Sequence, residues 1–269
     1  MSNAADLTAA DQAIAALRSG HDDLAPRVRA MRPEELTGPS GASEWSVAQV
    51  LSHLGSGAEI NLATLDAALG RADAPDGDFN KRVWARWDAM TPTDQAEGFL
   101  RANAELVDRY ESLDATTREN LRIDLGFLPQ PVDVATAAGF RLMEYALHAW
   151  DVEVASDPRA TVAPEAVPLL LDRLGMFFGF IAHPDALAGR HGTLAVNLTD
   201  PDRSFGLDLG DAVTQIDAPG RPDGVLRAPA EAWLRLATGR LAPEHTPASV
   251  TVDGGPVSLD DLRRLFPGY

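Results

Sequence analysis

RLMEYALHAWD, residues 141–151, decides how the first part of this chain folds. At about 100° per residue, Glu144 and His148 lie one turn apart on one face, and Asp151, three residues beyond His148, shares it. Ala137 and Phe140 flank the same stripe, while Leu142, Tyr145 and Ala149 cover another side. A helix apolar over so much of its circumference is a buried helix of a bundle.

The helical period continues on both sides of this stretch. Residues 7–31 place Ile14, Leu17, Leu24 and Val28 at helical spacing, and Arg32-Pro33 ends the run. From about Ser43, residues Val47, Val50, Leu51, Leu54, Ala58, Leu62, Leu65 and Leu69 recur in steps of three and four, with Gly70 as the stop. A loop is expected over 71–80. Thr91-Pro92 opens a third helix through Phe99, Leu106 and Tyr110. The fourth helix covers 132–155, and Pro164 opens a fifth through Leu170, Leu174 and Phe178.

Near His183-Pro184 the texture changes. Alternating segments at 193–198, 204–209, 225–227 and 249–252 read as strands, interleaved with short helices at 229–238 and 258–265. The expected chain is therefore mainly α: a helical bundle over 1–185, then a small α+β domain over 186–269.

Composition narrows the function classes. With 23 Lys+Arg against 40 Asp+Glu, the net charge is 23 − 40 = −17, so nucleic acid and anionic membranes are not expected partners. No apolar run is long enough to span a bilayer, and MSNAADLTAADQ has no leader pattern, so a cytoplasmic protein is expected. Cysteine is absent, which removes disulfides, thiolate ligands and a cysteine nucleophile. Any thiol chemistry must use a thiol brought in as a small molecule. Lys81 is the single lysine among the 23 basic residues, a bias of GC-rich genomes such as those of actinobacteria.

Two readings of Glu144 and His148 stand side by side. They can form a solvated pair, with Arg141 reaching Glu144. Alternatively, an oxygen and a nitrogen on one helix face can hold a divalent metal between bundle helices, given a third ligand. His53, in WSVAQVLSHLGSG, is the best third candidate, although a core histidine with one hydrogen bond would look the same. Gly57, one turn from His53, costs helix propensity and suggests close approach by a helix or a ligand. His21 and His245 read as residues of polar loops.

Trp45 near a helix start, His53-Leu54 eight residues later, and Glu144-x-x-x-His148-x-x-Asp151 about ninety residues on resemble the mycothiol-dependent maleylpyruvate isomerase family. That family belongs to the DinB-like four-helix-bundle superfamily. The resemblance implies zinc, or another divalent metal, on His53, Glu144 and His148. It also implies a C-terminal domain similar to sterol-carrier proteins, with AEAWLRLATGRL (230–241) as its most recognisable stretch. By the same resemblance Arg240 is a candidate for the family's C-terminal active-site arginine. Arg82, in the segment 78–82, is a candidate for a basic residue near the pocket.

What the resemblance implies chemically is a mycothiol-dependent isomerase or S-transferase. A metal-activated thiolate would add to an electrophilic small molecule, either for cis–trans isomerisation of the maleylpyruvate type or for conjugation. Three protein ligands leave a fourth metal position open. Asp151 would accept the free ring N–H of a histidine ligand. A monomer is expected. Two alternatives remain: a zinc hydrolase that needs no thiol, and a non-catalytic protein that binds a small molecule.

Overall fold

The computed structural model describes residues 7–268, so the first six residues of MSNAADLTAADQ lie outside the described residues. The chain divides into two compact units, 1–157 and 158–269.

In the first unit, α1 spans Ala9–Ala30, α2 Pro33–Leu36, α3 Val47–Ala68, α4 Phe79–Asp88, α5 Pro92–Glu111, α6 Ala115–Asn120 and α7 Val134–Glu153. A small antiparallel hairpin, β1 Arg122–Ile123 with β2 Val132–Asp133, leads into α7. The four long helices, α1, α3, α5 and α7, begin on Thr8, Ser46, Thr91 and Asp133. Each of these side chains accepts a hydrogen bond from the backbone N–H three residues on. Such a cap is worth about 1 kcal/mol. Helix α1 packs against α5 and α7, and α3 packs against the same two. Leu17, Leu24, Val50, Leu51, Leu54, Phe99, Leu106, Leu142, Tyr145 and Trp150 fill the space between them.

Helix α4 was not expected, and its first two residues fall in the loop expected over 71–80. Only Val83 and Trp87 are buried along it, too few to give a periodic signal. Trp87 nevertheless anchors it. A β-carbon at Gly55 would lie 2.2 Å from the Trp87 ring and one at Gly98 2.9 Å, so glycines of α3 and α5 form the slot for this indole. Its Nε1–H donates to Glu59 at 3.0 Å.

The second unit holds α8 Val167–Leu174, α9 Phe178–Ile181, β3 Gly192–Thr199, β4 Arg203–Leu209, β5 Val213–Ile216, β6 Gly224–Pro229, α10 Ala230–Ala237, β7 Thr251–Gly254 and α11 Leu259–Leu265. The sheet order is β5-β4-β3-β6-β7, antiparallel except for the parallel pair β3–β6. Strand β5 was not expected. Trp233 of α10 meets Phe178, Phe205 and Phe266 at ring-centroid distances of 5.7–6.2 Å. Those contacts explain why the boundary lies at 157/158 and not at 185. Helix α8 packs on α10 and α9 on β5, so the stripe Leu170, Leu174, Phe178 covers the sheet unit's core. The architecture is mainly helical, with a two-stranded hairpin in the first unit and a five-stranded sheet in the second. Among the described residues no helix is long and apolar enough to cross a membrane.

Candidate metal centre

His53 sits in the second turn of α3, and Glu144 and His148 lie one turn apart on α7. The packing of these two helices brings the three together, with one donor atom from each within 4.8 Å of the others. His53 Nε2 is 3.1 Å from Glu144 Oε2, and His148 Nε2 is 3.8 Å from the same oxygen. A tetrahedral metal with bonds of about 2.1 Å sets its ligand atoms roughly 3.4 Å apart, so this donor set fits a zinc-like ion.

The cluster is built into the helices around it. His148 is buried, and its Nδ1–H donates to Oδ2 of the fully buried Asp151 at 2.8 Å. That bond puts the lone pair on Nε2, the nitrogen facing Glu144. Asp151 in turn ties down the segment before α3, because Gly41 N–H donates to its backbone carbonyl at 2.7 Å. A β-carbon at Gly41 would stand 2.9 Å from Asp151 Cα, so only glycine permits this approach. The same segment carries Trp45. Its ring stacks on His148 at 5.9 Å and lies 5.2 Å from His53, forming a half-exposed wall along both imidazoles. The His53 and Glu144 side chains are 37% and 42% exposed, so the cluster opens on their side.

Electrostatics favours a charged carboxylate here. Burial works against ionisation of Glu144. The hydrogen bond from His53 outweighs it, together with the neighbouring imidazoles and Arg141, and the carboxyl is held below its ordinary value. Arg141 does not form the surface pair with Glu144 that helical spacing allows. It is buried, and its Nη2 donates to Leu54 O at 2.9 Å and to Asn103 Oδ1 at 2.8 Å. Burial pushes its pKa down to about 10. Asn103 also bonds the ring Nδ1 of His21 at 3.0 Å. His21 is therefore a buried residue of α1, not a loop residue as expected, and burial lowers its pKa. This polar chain across α1, α5, α7 and α3 had no signal in the sequence beyond the residue types themselves. Gly57 is explained by it, since a β-carbon there would lie 3.1 Å from Arg141 Nη1.

The remaining candidates are Arg82 and Arg240. Arg82 is exposed on α4, with Nη2 on Asp76 at 2.9 Å, and that bond raises its pKa. Asn80, two residues earlier on α4, lines a cavity of about 530 Å³. Arg240 is buried in the second unit, where Nη1 donates to the carbonyl of Thr238 at the end of α10, as a helix-capping arginine does.

Comparison with known proteins agrees with this architecture. Residues 17–153 match the family described as mycothiol maleylpyruvate isomerase N-terminal domain, and residues 181–249 match the SCP-2 sterol transfer family. No curated protein matches the chain. Among solved structures, two crystal structures of a mycothiol-dependent maleylpyruvate isomerase share the fold, one of them a histidine-to-alanine mutant. Their TM-scores are 0.64, with 13% and 14% identity over 94% of this chain and 95% of theirs. The first match alone runs over just more than half of the sequence, and the chain belongs to the mycothiol maleylpyruvate isomerase N-terminal domain family.

Proposed function

We propose that this protein is a metal-dependent isomerase or S-transferase that uses mycothiol, acting on a small electrophile of the maleylpyruvate type. The observation that carries the reading is the open His53–Glu144–His148 cluster, with His148 oriented by a buried Asp151. In this reading α1, α3, α5 and α7 form a DinB-like four-helix bundle whose function is to hold that cluster.

His53 Nε2, His148 Nε2 and the Glu144 carboxylate would hold the ion. A divalent cation on two neutral imidazoles and one carboxylate supplies Lewis acidity that lowers the pKa of a thiol reaching it. The chain's own residues do the rest. Asp151 fixes the His148 tautomer, and Trp45 covers one flank of both imidazoles. The sulfur comes from the thiol substrate, because the chain has no cysteine.

For isomerisation, the thiolate adds to one carbon of a cis double bond conjugated to a carbonyl, and the electron pair moves to the carbonyl oxygen. Rotation about the resulting single bond and expulsion of the thiolate give the trans product. For conjugation the adduct takes up a proton and leaves. Arg240 and Arg82 are the proposed partners of substrate carboxylates, although each also serves a neighbour.

The test is elemental analysis of tag-free protein, followed by turnover of maleylpyruvate with and without mycothiol. About one metal ion per chain, lost in His148→Ala, with turnover only when thiol is present, is the expected result. Turnover independent of thiol would replace this reading with a hydrolase. A chain that takes up no metal even when zinc is offered would remove the reading altogether.

A further inference from the structure

The face of α3 that carries His53 continues past the cluster into a cavity. Ile60, Thr64 and Ala67 follow His53 by 7, 11 and 14 residues, which places all three within about 40° of it around the helix axis. Ile60, Thr64 and Ala67 all line the cavity of about 530 Å³, whose other walls are the 74–80 segment and the loop of the β1–β2 hairpin. The hairpin loop also reaches back toward the cluster through aromatic contact. Phe127, which lines the cavity, meets Phe140 edge-on at 5.9 Å, and Phe140 is one turn before Glu144 on α7. Cavity and cluster thus share one face of α3, and the cavity's Phe127 touches α7 through Phe140. At 1.5 Å per residue, the near wall at Ile60 is roughly 10 Å along α3 from His53.

The lining has a definite chemical character. Asp76, Asp124, Asn80 and Thr64 offer carboxylate, amide and hydroxyl oxygens, and Phe127 is 69% exposed. Carboxylate and amide oxygens accept hydrogen bonds from neighbouring hydroxyl groups, and an open aromatic face packs against the C–H face of a saturated ring. Arg122 is in the lining and Arg82 pairs with Asp76, so two arginines balance the two acids and the lining suits an uncharged ligand. The volume falls within the roughly 300–1,000 Å³ typical of small-molecule sites.

We infer that this cavity recognises the polyhydroxylated, sulfur-free end of the thiol, with the cysteinyl arm running along α3 so that the sulfur reaches the cluster. The inference rests on the thiol-dependent reading above. Mycothiol has the required build: a cysteinyl arm on an uncharged pseudodisaccharide end rich in hydroxyls.

The test uses the metal-free chain labelled with ¹⁵N and titrated with N-acetylglucosaminyl-inositol, a sulfur-free probe whose amide keeps that end uncharged as it is in the thiol. The expected result is saturable shifts of backbone amides at Thr64 and over 122–127. Phe127→Ala and Asp124→Ala should each weaken binding roughly fivefold or more, about 1 kcal/mol by the affinity relation. Both residues are exposed, so folding of the variants is not at stake; unchanged helical circular dichroism checks this. Shifts confined to other regions, no saturation, unaltered affinity in both variants, or equal shifts with sucrose would each overturn the inference. Failure of the two readings is separable. Thiol-dependent turnover without pseudodisaccharide binding removes the cavity's role and leaves the enzyme, whereas binding without thiol-dependent turnover removes the enzyme reading.

Discussion

Asp151 has no exposed surface, yet its carboxylate accepts one hydrogen bond from His148 Nδ1 and its backbone carbonyl accepts another from Gly41. One residue therefore sets the tautomer of a candidate ligand and fixes the segment carrying Trp45. Asp151→Asn keeps the volume but weakens the acceptor and lets the amide favour the other tautomer. Metal affinity should fall about 10–100-fold. Competition with a chromophoric chelator measures it. Unchanged affinity would make Asp151 a purely structural partner.

Two glycines of α3 should respond very differently to alanine. At Gly55 the new β-carbon would lie 2.2 Å from the buried Trp87 ring, which has no room to move between α3 and α5. Gly55→Ala should cost about 1–3 kcal/mol through overpacking, or more. At Gly57 the nearest atom is the end of the Arg141 side chain at 3.1 Å. A small shift there is offset by the roughly 1 kcal/mol of helix propensity that alanine gains over glycine. Urea denaturation of the two variants should therefore place Gly57→Ala within about 1 kcal/mol of the parent and Gly55→Ala clearly below it.

The contrast also marks where sequence reading works and where it stops. Periodicity located α1, α3, α5 and α7, because each buries a long apolar stripe and starts on a capping side chain. It placed His53, Glu144 and His148 on helices but could not decide between a metal cluster and a pair of bland histidines. That choice depends on how α3 and α7 pack, which neither helix encodes alone. Gly57 stood out because a mid-helix glycine beside a histidine invites a question, yet the tighter glycine, Gly55, gave no separate signal. Its partner Trp87 lies on α4, a helix with too few buried positions to be read. His21 looked like a loop residue because its neighbours are polar, whereas its burial comes from Asn103 on a distant helix. The contact division at 157/158, ahead of the expected 185, has a similar reason. The apolar face of α8 is helical in period, and only its partner, α10, assigns it to the second unit.

In the second unit, Asp261 should govern acid sensitivity. It accepts from Arg190 Nη2 and Arg264 Nη2, each at 2.6 Å, and closes the capping box of α11 with Ser258. The bond from Arg190, the Ser258 backbone N–H and the other partners outweigh burial and hold its carboxyl far below the ordinary carboxylate range. A depressed carboxyl stabilises the fold at pH above its unfolded value, and the contribution is lost as pH falls through that value and below it. Asp261→Ala should therefore destabilise the protein at pH 7 by about 1–2 kcal/mol, the worth of a cap and its hydrogen bonds. The gap between variant and parent should narrow as pH is lowered below 4. Denaturant midpoints at several pH values read this out, and a gap that widens on acidification would contradict the assignment.

Arg141 and Asn103 form the most exacting pair in the first unit. A buried guanidinium with two bonds from one nitrogen, to Leu54 O and Asn103 Oδ1, depends heavily on both acceptors. Removing Asn103 strips one of them and also takes away the partner of His21 Nδ1. Leaving a buried charge without a partner costs about 3–5 kcal/mol, whereas replacing the whole buried polar group by apolar volume is often close to neutral. Asn103→Ala should accordingly lose about 2–4 kcal/mol. Arg141→Met alone should lose less, since methionine fills much of the same space without a charge to satisfy. The double variant should be more stable than the sum of the two losses predicts, by about 1 kcal/mol or more, because the cost of the stranded cation is counted only once. A double-mutant cycle by urea denaturation gives the coupling directly. Strict additivity would mean that Arg141 finds another partner when Asn103 is gone, and that the buried chain from His21 to Leu54 is not an energetic unit.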